Sequence, residues 1–126
     1  MAYLVDTDVL IDVAKNDQGA IDYVDTLSES WSISIIRALE LLVGARDKKE
    51  IAKIDQFLTA VPTVPLTPAV GMKAYRLLKH FSRSHGLRVF DSLIAATAIE
   101  EDRTLVTRNE KHFSMILDLK LEIPQY

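Results

Sequence analysis

The sequence reads as an α/β domain with three layers, α/β/α, around a central and mostly parallel sheet of four to five strands. Short β-prone apolar runs alternate with longer amphipathic stretches along the whole chain. Gly/Pro hairpin signals are few, so successive strands are joined by helices rather than tight turns. The first run, Tyr3-Leu4-Val5, stops abruptly in Asp6-Thr7-Asp8 before apolar residues resume at Val9, Leu10, Val13 and Ala14 with helical spacing. That is a buried strand whose C-terminal tip delivers carboxylates into a strand-to-helix turn, the rim where open α/β sheets bind ligands. At 126 residues the chain is expected to form one domain, residues 1–126.

In chain order, Asp8 or Thr7 suits the N-cap of the opening helix. Asn16 to Gly19 is a turn or helix-start signal, and Ile21, Val24 and Leu27 form one stripe of a helix running to about Ser28. Trp31 to Ile35 alternates and is β-branched, a second strand. The following Ala-Leu-Glu-Leu-Leu-Val-Gly-Ala stretch is helical, with Leu39, Leu42 and Val43 expected inward. Lys48 to Ala60 is amphipathic through Ile51, Ile54, Phe57 and Leu58. The prolines of the 61–66 passage confine it to a sheet edge or a strand end. Thr67-Pro68 starts a helix well, as a cap followed by proline at the first position, and Gly86 ends it. Asp91 stands at or near the cap of the next helix, Thr104 to Thr107 is a buried strand, Glu110 to Leu117 is a short helix, and 119–123 alternates as a last half-exposed strand.

Composition narrows the function. There is no cysteine, which excludes disulfides and thiolate metal sites and is compatible with a reducing cytoplasm, the expected location. No apolar run approaches a membrane span, and the first twenty residues carry no basic-then-apolar signal pattern. The net charge of −3 hides a segregation: residues 1–36 hold seven acids and one base, whereas Gln56 to Phe90 holds no acid and five bases. Of these, Lys73, Arg76 and Arg83 share one helical stripe with His80. The stripe is either a solvated face or a surface for an anionic polymer.

Three acids look buried: Asp6 at the first strand tip, Glu40 among leucines, and Asp91 at a helix start. Glu40 is either on the solvent side of its helix or pointed at something positive. Parallel strands ending at residues 5 and 106 share a rim, so Asp6 and Asn109 can be neighbours. Converging carboxylates repel, which favours a raised pKa or a bound hard cation. Mg²⁺ or Mn²⁺ is the natural guest, with oxygen ligands and room for a phosphate substrate. The plain alternative is that Asp6 and Asp8 only cap the helix.

The order Val5-Asp6-Thr7-Asp8-Val9-Leu10-Ile11, Ser34 to Glu40-Leu41, Asp91-Ser92-Leu93-Ile94-Ala95-Ala96 and Thr107-Arg108-Asn109 to His112-Phe113 resembles a PIN domain. Each motif is weak alone; four in order along the whole chain are strong. A chain of this size resembles the VapC-type toxins of prokaryotic toxin–antitoxin pairs. The resemblance implies a metal-dependent endoribonuclease with an RNA substrate, inhibited by an antitoxin protein and usually homodimeric. It implies that Asp6, Glu40 and Asp91 bind the metal and that Thr7 and Thr107 are the hydroxyls near it.

Two departures stand out. Asn109 and His112 occupy the last motif where relatives often carry a further acid, and Arg37 stands three residues before Glu40 where a threonine is common. Asn109 and Thr107 are expected to hold metal-bound water. Arg37 and Arg108 are candidates for substrate phosphate, with pairing to Glu40 the alternative for Arg37. The antitoxin is expected on stretches 9–28 and 48–60. Two rivals remain from the residues: a non-catalytic RNA- or protein-binding module of the same fold, and an aspartate-nucleophile phosphatase suggested by Asp6-x-Asp8. Leu10 and the missing distal lysine count against the phosphatase.

Overall fold

The computed structural model describes residues 2–28 and 30–126. Twelve elements follow in order: β1 (Tyr3–Val5), α1 (Thr7–Ala14), α2 (Gln18–Thr26), β2 (Trp31–Ser34), α3 (Ile35–Val43) and α4 (Lys48–Thr59) make the first half. β3 (Thr63–Val64), α5 (Pro68–His85), α6 (Val89–Glu100), β4 (Thr104–Val106), α7 (Glu110–Phe113) and β5 (Leu121–Glu122) make the second. The five strands form one sheet in the order β3-β2-β1-β4-β5, and every described pairing is parallel. The proline-flanked β3 is an edge strand, in keeping with the N–H groups that Pro62 and Pro65 lack on either side of it.

The pleat distributes the core. Val5 and Val106 are register partners and fall, with Ile33, on the face covered by Val9, Leu10 and Leu27. Leu4 and Leu105, one residue earlier, point to the opposite face, against Val70, Ala74 and Leu77 of α5 and Ile94 and Ala95 of α6. β1 and β4 are therefore covered on both sides, which is why they read as unbroken apolar runs. From β1 the chain winds through β2 to β3 on one side, then returns to place β4 on the other. The gap between β1 and β4 is the topological switch point of the sheet, where strand ends leave a crevice.

Local chemistry explains most helix boundaries. Thr67 caps α5 by accepting from Val70 N at 3.2 Å, Pro68 follows, and Gly86 closes the helix at φ 69°, a left-handed position that glycine occupies without strain. Gly19 permits a close approach instead: a Cβ there would lie 2.8 Å from the Cβ of Tyr126. The Tyr23 hydroxyl donates to Glu122, tying α2 to β5, and burial followed by that carboxylate pushes the phenol pKa well up.

Several boundaries differ from expectation. The cap of α1 is Asp6, not Thr7 or Asp8; its side chain accepts from Thr7 N at 2.9 Å. β2 ends at Ser34, which caps α3 by accepting from Ile36 N at 3.1 Å, so Ile35 is already helical. α6 begins at Val89, putting Asp91 in its first turn, and α7 stops at Phe113. The inward assignment of Leu39 and Val43 fails: they are 49% and 87% exposed. They continue the stripe of the buried Ile36, but only the first turn of α3 lies over the core, and the rest runs out beyond it with Phe90 alongside. In α4, Ile51 and Phe57 are likewise exposed, and Leu58 carries the packing.

Candidate active site

Four chain segments meet at the switch point. Asp6 stands at the end of β1 and is 3% exposed; Thr107 follows β4 and is fully buried. The β1–β4 register puts them side by side, and Thr107 Oγ1 lies 2.9 Å from Asp6 Oδ2. Glu40 comes from the middle of α3 and Asp91 from the first turn of α6. With Thr7, Asp8, Arg88, Phe90, Asn109 and His112 these acids line an open cavity of about 400 Å³. The cap-or-cluster alternative posed by the sequence dissolves here, since Asp6 caps α1 with one oxygen and faces the cluster with both.

Arg37 organises the acids. Its Nε donates to Asp6 Oδ1 at 2.7 Å, Nη1 to Glu40 Oε1 at 2.7 Å and Nη2 to Asp91 Oδ1 at 3.0 Å. The planar fork of a guanidinium suits three acceptors in three directions, which a lysine could not satisfy together. Burial opposes its charge, but the Asp6 carboxylate, with the hydrogen bonds that Arg37 donates to Glu40, Asp6 and Asp91, outweighs burial and raises its pKa. Arg37 is thus the positive group that Glu40 points at, although Glu40 also keeps 37% of its side chain exposed.

A second layer surrounds this. Asp8 accepts from Arg108 N at 3.0 Å and shares the Thr107 hydroxyl at 3.2 Å. Burial, then the neighbouring Asp6 charge, raises the Asp8 pKa against the pull of these hydrogen bonds. Thr107 Oγ1 in turn accepts from Asn109 N at 3.1 Å. His112 Nδ1 lies 3.4 Å from Asp91 Oδ2. Arg108 reaches away from the acids to Asp12 at 2.8 Å, and the Tyr126 hydroxyl donates to the same carboxylate oxygen at 2.7 Å.

The donor set is all oxygen, carboxylates with a hydroxyl and an amide beside them, and fits a hard divalent cation in kind. In arrangement the guanidinium occupies the common ground: among the described residues no three acids or histidines converge on a point that would hold an ion. The basic stripe is not part of this cavity. Lys73 pairs with Asp118 at 3.4 Å and, with Arg76 and His80, lines a separate shallow cavity, while Arg83 is exposed. Arg88, which sequence reasoning counted only as a charge, does line the acidic cavity. Among the described residues no lysine lines it, which removes the group an aspartate-nucleophile phosphatase needs.

Comparison with known proteins places the fold. The PIN domain family model matches residues 3–116. Ribonuclease VapC19 of Mycobacterium tuberculosis is 34% identical over 121 residues, spanning 93% of this chain and 96% of that protein. Ribonuclease VapC10 of the same organism is 32% identical over 122 residues, 93% and 90% of the two chains. Among solved structures, VapBC2 from Rickettsia felis, bound to a DNA fragment from its promoter, superposes with a TM-score of 0.80 at 28% identity, covering 97% and 98% of the two chains. VapBC from Salmonella typhimurium, bound to DNA, shares the fold with a TM-score of 0.83 at 20% identity, covering 97% of each chain. With the strand-tip aspartate, the helical glutamate and the α6 aspartate meeting at one switch point, this chain belongs to the PIN-domain family, on its VapC-type branch.

Proposed function

We propose that the chain, acting as one domain over residues 1–126, is the endoribonuclease toxin of a toxin–antitoxin pair, working in the cytoplasm on RNA phosphodiester bonds. The observation that carries the proposal is the meeting of Asp6, Glu40 and Asp91, from three distant segments, within reach of a single guanidinium. In this reading these carboxylates hold Mg²⁺ or Mn²⁺, which when bound supplies an activated water and offsets charge at the phosphodiester. Asp6 is pinned by the N-terminus of α1 and by Thr107, so it presents a fixed oxygen. Asp91 is anchored at the head of the buried α6, and Glu40 reaches in from a half-exposed helix. Thr107 and Asn109 orient water at the rim. Arg88 in the cavity wall, with Arg76, Arg83 and Lys73 outside it, attracts substrate phosphates.

The partner follows from the relatives' complexes and from an apolar cavity of about 250 Å³ between α1 and α4, lined by Leu10, Ile11, Ala14, Leu41, Ile54 and Phe57. An antitoxin helix or strand fits this surface, which overlaps the early-helix stretches expected from sequence. The exposed Leu39, Val43 and Phe90 edge suits a homodimer.

The decisive test is Asp6→Asn. The expected result is loss of divalent-dependent RNA cleavage by at least about a hundredfold, the scale set by removing a charged group that acts in the transition state, with the circular dichroism of the folded protein kept. Full cleavage by the variant would refute the assignment. A wild-type chain that binds RNA or a partner but cleaves nothing at any Mg²⁺ or Mn²⁺ concentration would favour the binding-module reading, which the neutralising Arg37 makes a concrete alternative.

A further inference from the structure

Arg37 is the unexplained group in this cavity. A residue meant only to greet substrate would be expected to point at solvent, yet its side chain is 12% exposed and all three kinds of guanidinium nitrogen are committed to acids. A residue meant only to stabilise the fold would not be set on the oxygens that the site presents to its ligand. Asp6 Oδ1, Glu40 Oε1 and Asp91 Oδ1 are each taken by it. Removing the cation from such a group leaves the buried Asp6 and the largely buried Asp91 without a counter-ion, which is strongly unfavourable. A divalent ion wanting the same oxygens must therefore displace a monovalent one already present.

Resting on the reading of Asp6, Glu40 and Asp91 as the cation-holding residues, we propose that Arg37 is a built-in counter-ion that competes with the divalent cation for these three carboxylates. In the metal-free protein the guanidinium neutralises part of the cluster and holds α3, β1 and α6 together. Cation binding then requires the guanidinium to leave, so the affinity of the site is set below that of the carboxylates alone. The displaced side chain remains on the first turn of α3 and carries its charge into the cavity wall. Lysine cannot substitute fully, because one ammonium cannot span three carboxylates arranged around a planar fork.

The test uses the purified chain without an antitoxin. Mn²⁺ binding is measured by electron paramagnetic resonance for wild type, Arg37→Gln and Arg37→Lys, and thermal unfolding is followed in EDTA. The expected result is at least tenfold tighter Mn²⁺ binding by Arg37→Gln, an intermediate value for Arg37→Lys, and a lower melting temperature for Arg37→Gln in EDTA that Mn²⁺ restores. Should Arg37→Gln fail to fold, the Arg37 Nε–H resonance of wild type decides. Under Mg²⁺ titration it should move with the same midpoint as ion binding. Equal or weaker Mn²⁺ affinity in a folded Arg37→Gln, or an Nε–H signal unmoved at saturating Mg²⁺, overturns the competition and leaves the metal site standing. Absence of Mn²⁺ binding in all three proteins overturns both.

Discussion

Thr107 Oγ1 donates to Asp6 Oδ2 at 2.9 Å across 101 positions of sequence, because Val5 and Val106 are partners in adjacent parallel strands. The same hydroxyl lies within reach of Asp8 and accepts from Asn109 N, so one buried atom serves three partners in two segments. Thr107→Val keeps the shape and deletes the hydroxyl. It should cost about 1–3 kcal/mol in urea unfolding, the penalty for leaving buried partners unsatisfied. Thr107→Ser keeps the donor and loses only a methyl, about 1 kcal/mol.

Asp12 gives a pH dependence with a definite sign. The hydrogen bond from the Tyr126 hydroxyl, with Arg108 and Lys15 assisting against burial, holds its pKa below the ordinary 3.8. The folded state thus prefers the ionised form, and the resulting stability is present above pH 3.8 and lost as the pH falls through the lowered value. Asp12→Asn should therefore unfold earlier in urea than wild type at neutral pH, and the two curves should converge in acid. A gap that widened in acid would contradict the assignment.

How far the sequence could be read depends on the range of the interactions. The tip of the first strand and the Thr67-Pro68 to Gly86 helix are written in neighbouring residues, and the mostly parallel sheet follows from the alternation of strands and helices; these were legible. So was the rim shared by Asp6 and Asn109, since the alternation of strands and helices forces it. The exposure of Leu39 and Val43 was not, because spacing reports the stripe on a helix but not where the core beneath it ends. Nor was the three-way grip of Arg37: its spacing to Glu40 is local, but Asp6 and Asp91 lie 31 and 54 residues away. The Tyr126–Asp12–Arg108 chain likewise joins residues that no periodicity connects.

The apolar cavity between α1 and α4 makes a separable prediction. Phe57 lies on its wall and is 40% exposed, so a charge there meets water in the free protein. Phe57→Asp should weaken antitoxin binding at least tenfold by isothermal titration. Unfolding should change by no more than about 0.5 kcal/mol, the usual range for surface substitutions, and RNA cleavage should be unaltered. Undiminished antitoxin binding would move that interface elsewhere.

The basic stripe can be tested through salt. Arg76→Glu with Arg83→Glu should weaken single-stranded RNA binding and flatten its log–log salt dependence by about 0.7 for each phosphate that is no longer neutralised. Lys73→Glu should do less, because Lys73 is already paired with Asp118. Cleavage at saturating RNA should not change. An unchanged salt slope in the double variant would make the stripe a solvated face.

The distance in sequence between Asp6 and Thr107 has a consequence for synthesis. At translation speeds of about 5–20 residues per second, Thr107 is made roughly 5–20 s after Asp6. Over that interval β1 can pair with β2 but has an open edge on its other side, and Asp6 has no hydroxyl to hold it. Glu40 and Arg37 are made before Asp91, which lies 54 residues after the arginine. The cluster is therefore complete only once α6 has been made, and Asp6 gains its hydroxyl partner only with the residue after β4. The order of residues along the message delays the cavity until the fold that controls it is in place.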